Sequence, residues 1–376
     1  APPPAVSEVT AAAIGGAPPR AAAADRFYRA RRALEAVFAP AVALAGAAVL
    51  YALFLLALGK DPLDFLGLVW RGAFGSLFSL SNTLQRAAPL LFTALCVALP
   101  AQLGLIVIGG EGAVVLGGLA AVAVALPLQW APPLAVQLAM AVAGAAMGAV
   151  WIGLAGWLRA RRGINETISS LVLAYIGIAL FNHLVEGPLR DPASLNKPST
   201  WGIGEANQLA PLTAIELHPG LPWGVLACLL AYVFITRTTT GFAARVTGGN
   251  LRAAQLQGLP VQRLMVMACA LGGAAAGLAG MIEVAAVHGR ANASLIAGYG
   301  YTGILISFLA RHNPLAIIPM AVLMGGIGAA GGLVQRRMDL PDASVLVLQG
   351  LIFVCILAGE TLYGRIAWFR PREERR

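Results

Sequence analysis

Charge is scarce in this chain: only 11% of its 376 residues are charged, and lysine occurs twice, at Lys60 and Lys197. Neither lysine follows a glycine-rich phosphate loop, so the chain has no means of cradling a triphosphate for its own hydrolysis. Cysteine is also sparse. Cys96, Cys228, Cys269 and Cys355 lie far apart within apolar stretches, a spacing that excludes a disulfide framework and a zinc cluster and makes them packing residues. His183, His218, His288 and His312 have no second ligand at helical spacing, so no metal site is expected. No nucleophile and base fall together in a pattern that a membrane enzyme would need.

What is abundant is apolar surface. Hydrophobic residues make up 59% of the chain and the mean hydropathy is +0.77, which makes lipid the solvent. Runs long enough to cross roughly 30 Å of hydrocarbon as helices recur about ten times. They begin near Val37, Ala87, Gly112, Pro133, Asn165, Pro222, Leu264, Tyr299, Pro314 and Ala343. The expected fold is an all-α polytopic membrane protein of about ten transmembrane helices, with broken or re-entrant segments and an internal repeat among the possibilities. Arginines set its orientation, because basic short loops stay in the cytoplasm. Arg26 to Arg32, Arg159 to Arg162, Arg237 to Arg263 and Arg365 to Arg376 all fall on one side of a ten-span chain, so both termini are expected in the cytoplasm. Arg336 and Arg337 fall on the other side, and a re-entrant segment near Tyr299 to Arg311 would account for them. The net charge of +9 is explained by this topology and by anionic lipid, not by nucleic acid.

Residues 1–25 are Ala/Pro/Gly-rich and read as a disordered tail. The apolar stretch after Arg32 is too long for a signal-peptide core and is expected to be an uncleaved first span. Residues 26–364 form the membrane domain, with a cytoplasmic loop at 237–263 and an extracytoplasmic loop at 186–221. Residues 365–376 are a basic cytoplasmic tail.

Glu111 stands among Gly109, Gly110 and Gly112 inside an apolar stretch. Glycines there signal a break or close packing, and an intramembrane carboxylate normally faces the bundle interior or an aqueous path. The other reading places Glu111 at the cytoplasmic end of a span, solvated or capping a helix N-terminus. Gly298, Gly300 and Gly303, interleaved with Tyr299 and Tyr301, form a second such break, and paired breaks in two halves point to a repeat. Glu283 lies deep in a span near its outer end. Asn165 and Glu166 open the fifth span and suit either a helix cap or a place on an aqueous path.

The loop Arg237 to Arg263 is polar yet patterned. Asn250 can cap a helix starting at Leu251, and Gly258 followed by Pro260 ends it after about two turns. So short a helix is marginal alone, so it either docks on a partner or lies on its own bundle.

Ile108, Gly109, Glu111 and Gly112 match a motif of the form Asn-Ile-Gly-x-Glu-Gly-Gln, with Val107 and Ala113 in place of the polar ends. Gly163, Asn165, Glu166, Ile168, Ser169, Leu173 and Tyr175, then Gly187 to Pro192, match a second stretch, with Ala174 where asparagine is expected. On these residues the chain, from about Ala87 to Glu360, resembles the membrane permease subunits of bacterial ABC importers in the branched-chain amino acid, ribose and nucleoside group, nearest the nucleoside branch. The resemblance implies that Thr240, Gly241, Arg245, Asn250, Ala253, Ala254 and Gly258 form the segment that meets a cytoplasmic ATPase. It implies a pair of permeases, identical or related, an extracytoplasmic solute-binding protein, and ATP and Mg on the partner, with no cofactor on this chain. The location implied is the bacterial inner membrane. Gly109, Glu111, Gly112, Asn165, Glu166, Glu283, Gly298, Tyr299, Gly300 and Tyr301 are the expected path residues for a nucleoside or sugar, and Glu186, Asp191, Trp201 and Glu205 the expected docking residues. The alternative is a secondary transporter in which Glu111, Glu283 and Glu360 relay an ion.

Overall fold

The computed structural model describes residues 41–212, 217–341 and 343–362. The expected tails at 1–25 and 365–376, the basic cluster Arg26 to Arg32 and the Glu360 side chain lie outside the described residues. Among the described residues two compact units are distinguished, 41–54 with 350–362, and 55–349. In the first, Gly46 of the helix Ala41–Ala57 (α1) faces the Cys355 thiol. The second unit holds everything below.

Among the described residues, seven helices are long and apolar enough to cross a membrane, joined by one bent pair, α1 with Pro62–Phe74 (α2). The seven are Leu77–Ala101 (α3), Gly110–Ala125 (α4) with its 3₁₀ extension to Leu128, Pro133–Arg162 (α5), Glu166–Glu186 (α6), Gly220–Arg237 (α7), Val261–Glu283 (α10) with its extension to His288, and Pro314–Met338 (α12). Two helices in the 238–260 loop, Thr239–Gly249 (α8) and Leu251–Leu256 (α9), precede α10. Tyr299–Leu309 (α11) and Ala343–Leu362 (α13) complete the order. About ten apolar helical passages are thus present, in keeping with the sequence reading.

Three details differ from expectation. The second span starts ten residues early, at Leu77, because the Ser76 hydroxyl accepts from the Ser79 N–H at 3.0 Å and caps the helix there. The helix α8 was not anticipated; the Thr238 hydroxyl caps it through the Gly241 N–H. The passage at Tyr299 is a helix of 11 residues, about 16 Å long, half of a hydrocarbon layer.

The bundle is held at its centre by small residues. Gly273 and Gly277 of α10 meet Gly148 and Gly144 of α5 backbone to backbone, Gly277 also meets Gly117 of α4, and Gly280 meets the Val114 carbonyl. Both helices carry a glycine every fourth residue on the facing stripe, which lets axes approach where lipid offers no hydrophobic drive for association.

The two ends are distinguished by their loops. At one end Gln102 donates to the His312 carbonyl at 3.1 Å, Gly248 abuts the Gln102 carbonyl, and Thr167 donates to the Ile106 carbonyl at 2.8 Å. This joins loop 102–109 to the first turn of α6, to the 238–260 loop and to the 310–313 loop. At the other end Gln129 donates to the Gly202 carbonyl at 3.0 Å, and the Thr200 N–H donates to the Ala291 carbonyl at 3.0 Å.

Two outcomes are expected. Gly277→Leu forces a side chain into the backbones of α4 and α5 and should lower stability by about 3 kcal/mol or more, read as a fall in the thermal midpoint of detergent-solubilised protein. Leu271→Ala, on the exposed face of the same helix, should change that midpoint little. The second concerns His312, in the 310–313 loop, whose Nδ1 stands 2.9 Å from the Ser307 hydroxyl and whose ring packs edge-on against Phe308. Burial, then the adjacent Arg311, push its pKa down to about 4. The folded pKa lies below the ordinary value of about 6.5, so the neutral ring favours folding above that value. That stability is lost as pH falls from about 6.5 through about 4, and His312→Gln should flatten the midpoint-versus-pH curve in that window.

Candidate functional site

Two helices begin inside the unit, and their first turns meet. Chain 102–109 rises from the end that carries the 238–260 loop, tied to α6 by the Ile108 N–H donating to the Ser170 hydroxyl at 3.1 Å. It becomes α4 at Gly110. Gly112 packs on Ala174, eight residues or about 12 Å up α6 from Glu166. From the opposite end the segment after Gly289 descends to Gly298, where α11 begins. Here the Glu111 carboxylate spans the junction: Oε1 accepts from the Gly298 N–H at 2.7 Å and Oε2 from the Gly300 N–H at 2.6 Å. Glu111 is 0% exposed.

The sequence alone left Glu111 between a path lining and a cap. The structure gives its carboxylate a cap, on a helix 187 residues away in sequence. First-turn N–H groups of a helix have no partner within the helix and favour an anion. Such groups cannot be left bare away from water. Gly300 is required by the same contact, since a Cβ there would lie 2.6 Å from the Glu111 Cα.

Beside this junction lies a cavity of about 340 Å³, lined in part by Arg86, Tyr299, Thr302, Gln335 and Gln349. Thr302 approaches the Gln349 amide oxygen at 3.5 Å. The Tyr299 phenol hydrogen-bonds with the Glu283 carboxylate, and Arg86 shares the cavity wall with Tyr299. Glu283 also stands 3.8 Å from His288. It sits where α10 passes into a wide π turn, Val284–His288, a local widening frequent at functional sites. Arg86, Gln335 and Gln349 were missed by the sequence reading. Arg86 precedes the expected span start at Ala87, and the Ser76 cap is the signal that places it inside the helix.

The other anticipated residues separate into groups. Asn165 caps α6, its side-chain oxygen accepting from Thr167 at 2.8 Å and Ile168 at 3.2 Å. Glu166 pairs with Arg159 at 3.3 Å. Gly109 packs on Ser170, and Tyr301 is part exposed at the start of α11. In the 238–260 loop Asn250 caps α9 through Ala253 at 3.0 Å, and Gly258 takes a left-handed φ of 74° after it. Ala254 is 0% exposed, however, whereas Leu256 is 84% exposed. Ala254 therefore anchors α9 to its own protein, and Leu256 is what the loop presents, along with exposed Arg245 and Arg252. At the far end Glu186, Trp201 and Glu205 are exposed. Asp191 is buried and holds a turn by accepting from the Ala193 N–H at 2.9 Å.

Residues 79–357 match the family described as branched-chain amino acid transport system, permease component. A glucose ABC transporter permease protein of Haloferax volcanii is 32% identical over 81% of this chain and 83% of its own length. A guanosine ABC transporter permease protein of Bacillus subtilis is 27% identical over 85% and 93%, and an L-arabinose transport system permease protein of Escherichia coli is 28% identical over 54% and 64%. No solved structure matches.

Replacing Glu111 tests the junction. Glu111→Ala leaves two donors bare, and each hydrogen bond to a charged group is worth roughly 1.5–3 kcal/mol. The thermal midpoint should fall sharply. Glu111→Gln keeps one acceptor oxygen and should fall between wild type and Glu111→Ala, an order read in the same melting assay.

Proposed function

The chain belongs to the branched-chain amino acid transport system permease family, and from that premise we propose that it forms the membrane path for a small polar solute, a sugar or nucleoside, in an ATP-driven importer. The family's members are transport subunits, and the ATPase is a separate chain. The observation that carries this reading is the extent of the match, residues 79–357, which takes in the broken helices, the cavity and the 238–260 loop together. The sugar and nucleoside assignment is supported by the names of the relatives, a glucose and a guanosine permease protein.

In this proposal the arginine-bearing 238–260 end faces the cytoplasm of a bacterial inner membrane, with both termini on that side. Leu256, exposed at the end of α9, seats on the ATPase, and Arg245 and Arg252 flank it. Ala253, Ala254, Asn250 and Gly258 shape the segment, and Thr240 and Gly241 set the first turn of α8 against α7. Trp201, Glu186 and Glu205 at the other end meet a solute-binding protein. A second permease subunit, the same or related, completes the pore. ATP and Mg act on the partner, and this chain holds neither.

Coupling follows from two-state linkage. Nucleotide states of the ATPase must engage the Leu256 segment with different free energies, because equal engagement shifts no equilibrium. The 238–260 loop touches the 102–109 chain at Gln102 and Gly248, and that chain leads directly to Glu111 and the junction with α11. Motion at the loop therefore reaches the point where both short helices begin.

Leu256→Cys, in full complex within membranes, should crosslink to the ATPase subunit with a yield that changes with nucleotide. Absence of that capture, with uptake persisting after ATP depletion, would overturn the coupled reading in favour of an ion relay through Glu111 and Glu283.

A further inference from the structure

At the end opposite the 238–260 loop, residues 199–209 run beside the chain that links α10 to α11 and bond to it repeatedly. The Leu209 N–H donates to the Ala285 carbonyl at 2.9 Å, and the Ile203 N–H to the Gly289 carbonyl at 2.9 Å. Ser199 pairs with Asn292 as an isolated antiparallel bridge. Thr200 makes the firmest hold. Its N–H donates to the Ala291 carbonyl at 3.0 Å, and its hydroxyl oxygen accepts from the Ala291 N–H at 3.0 Å. One residue thus holds both backbone groups of another. Thr200 and Ala291 are each 0% exposed, so either group of Ala291 would be left bare and buried without its partner.

The linker from Gly289 to Gly298 is built as a lever. Both end glycines take a left-handed φ, 64° and 78°, which glycine adopts at little cost and which suits the ends of a moving segment. Between them the Asn292 side chain caps the 3₁₀ turn Ala293–Leu295, accepting from the Ser294 N–H at 2.9 Å. Leu295, 1% exposed, seats that turn against Gly118 of α4 and gives the lever a fulcrum. On one side of the fulcrum Thr200 grips Ala291. On the other, the Gly298 N–H is held by the Glu111 carboxylate. Trp201, the residue next to Thr200, turns outward and is 53% exposed.

We propose that residues 199–209 are a strap through which a protein docked on Trp201 acts on the junction of α4 and α11, and that Thr200 is the positioning residue of this relay. Docking shifts the strap, Thr200 carries Ala291 with it, and the linker turns about Leu295, moving the Gly298 N–H relative to Glu111. The relay is the counterpart, from the opposite end, of the contact between the 238–260 loop and the 102–109 chain. It rests on the permease reading above, with the solute-binding protein as the docked partner.

The test uses the complete complex, permease with ATPase and binding protein, reconstituted in proteoliposomes. ATP hydrolysis is measured without the binding protein and with it, loaded in turn with D-glucose and with guanosine, and the affinity of the binding protein for the complex is measured separately. Thr200→Val removes the hydroxyl at nearly unchanged size and leaves the Ala291 N–H bare. Stimulation by the binding protein should fall by about fivefold or more, the effect of a buried donor left unsatisfied, with basal hydrolysis and affinity unchanged. Thr200→Ser keeps the hydroxyl and should retain stimulation. In Thr200→Val, a disulfide between Ser199→Cys and Asn292→Cys, whose antiparallel pairing suits such a bond, should restore stimulation on oxidation and lose it again on reduction. Normal stimulation in Thr200→Val, an equal defect in Thr200→Ser, or a loss that follows affinity would overturn the relay. So would a formed disulfide that leaves the defect in place. A wild-type complex that the binding protein does not stimulate with either solute, and that takes up neither with ATP, would instead strike the permease reading.

Discussion

The structure turns on one constraint: a helix that starts inside a lipid-embedded protein exposes N–H groups that nothing in its own turn can satisfy. Glu111 meets that constraint for α11 with both carboxylate oxygens. Because the partner is supplied by the first turn of α4, the two helices that break inside the unit are fastened to each other at the break. The cost of burying a carboxylate is reduced by two backbone hydrogen bonds and by the positive end of the helix it caps. Glycines at the contact are a consequence, since any larger residue at Gly300 would collide with the Glu111 backbone.

Around that fastening the molecule separates rigidity from adaptability. The stripe joining α4, α5 and α10 places backbone on backbone and leaves little room for independent movement of those helices. On the other side of the junction α11 is short, and the space between it, α3 and α12 is the polar cavity. The loop that reaches Glu111 from below is the same one that contacts both the Gly248 turn and the His312 turn. The loop contacts at one end and the polar cavity toward the other thus converge on a single carboxylate.

Arg86 and Glu283 illustrate why an ionisable residue within an apolar helix is informative. Each would be expensive in hydrocarbon alone. Glu283 meets the Tyr299 phenol and stands 3.8 Å from His288, while Arg86 opens onto the cavity beside Gln335 and Gln349. Similar reasoning applies to Arg159 and Glu166 at the loop end, where the pair locks α5 to the start of α6.

The sequence by itself determined the membrane class, the approximate number of apolar helices, the Asn165 and Asn250 caps and the presence of two glycine-marked breaks. These were legible because span length, cap chemistry and glycine backbone freedom are local properties, written within a few residues of where they act. Only the tertiary structure decided that Glu111 caps α11, that Arg86 shares a cavity with Gln335 and Gln349, and that Leu256 rather than Ala254 faces outward. The physical reason is that periodicity reports which positions share a helix face but not which distant face they meet. A carboxylate and its N–H partners 187 residues apart carry no mark of each other until the bundle has packed.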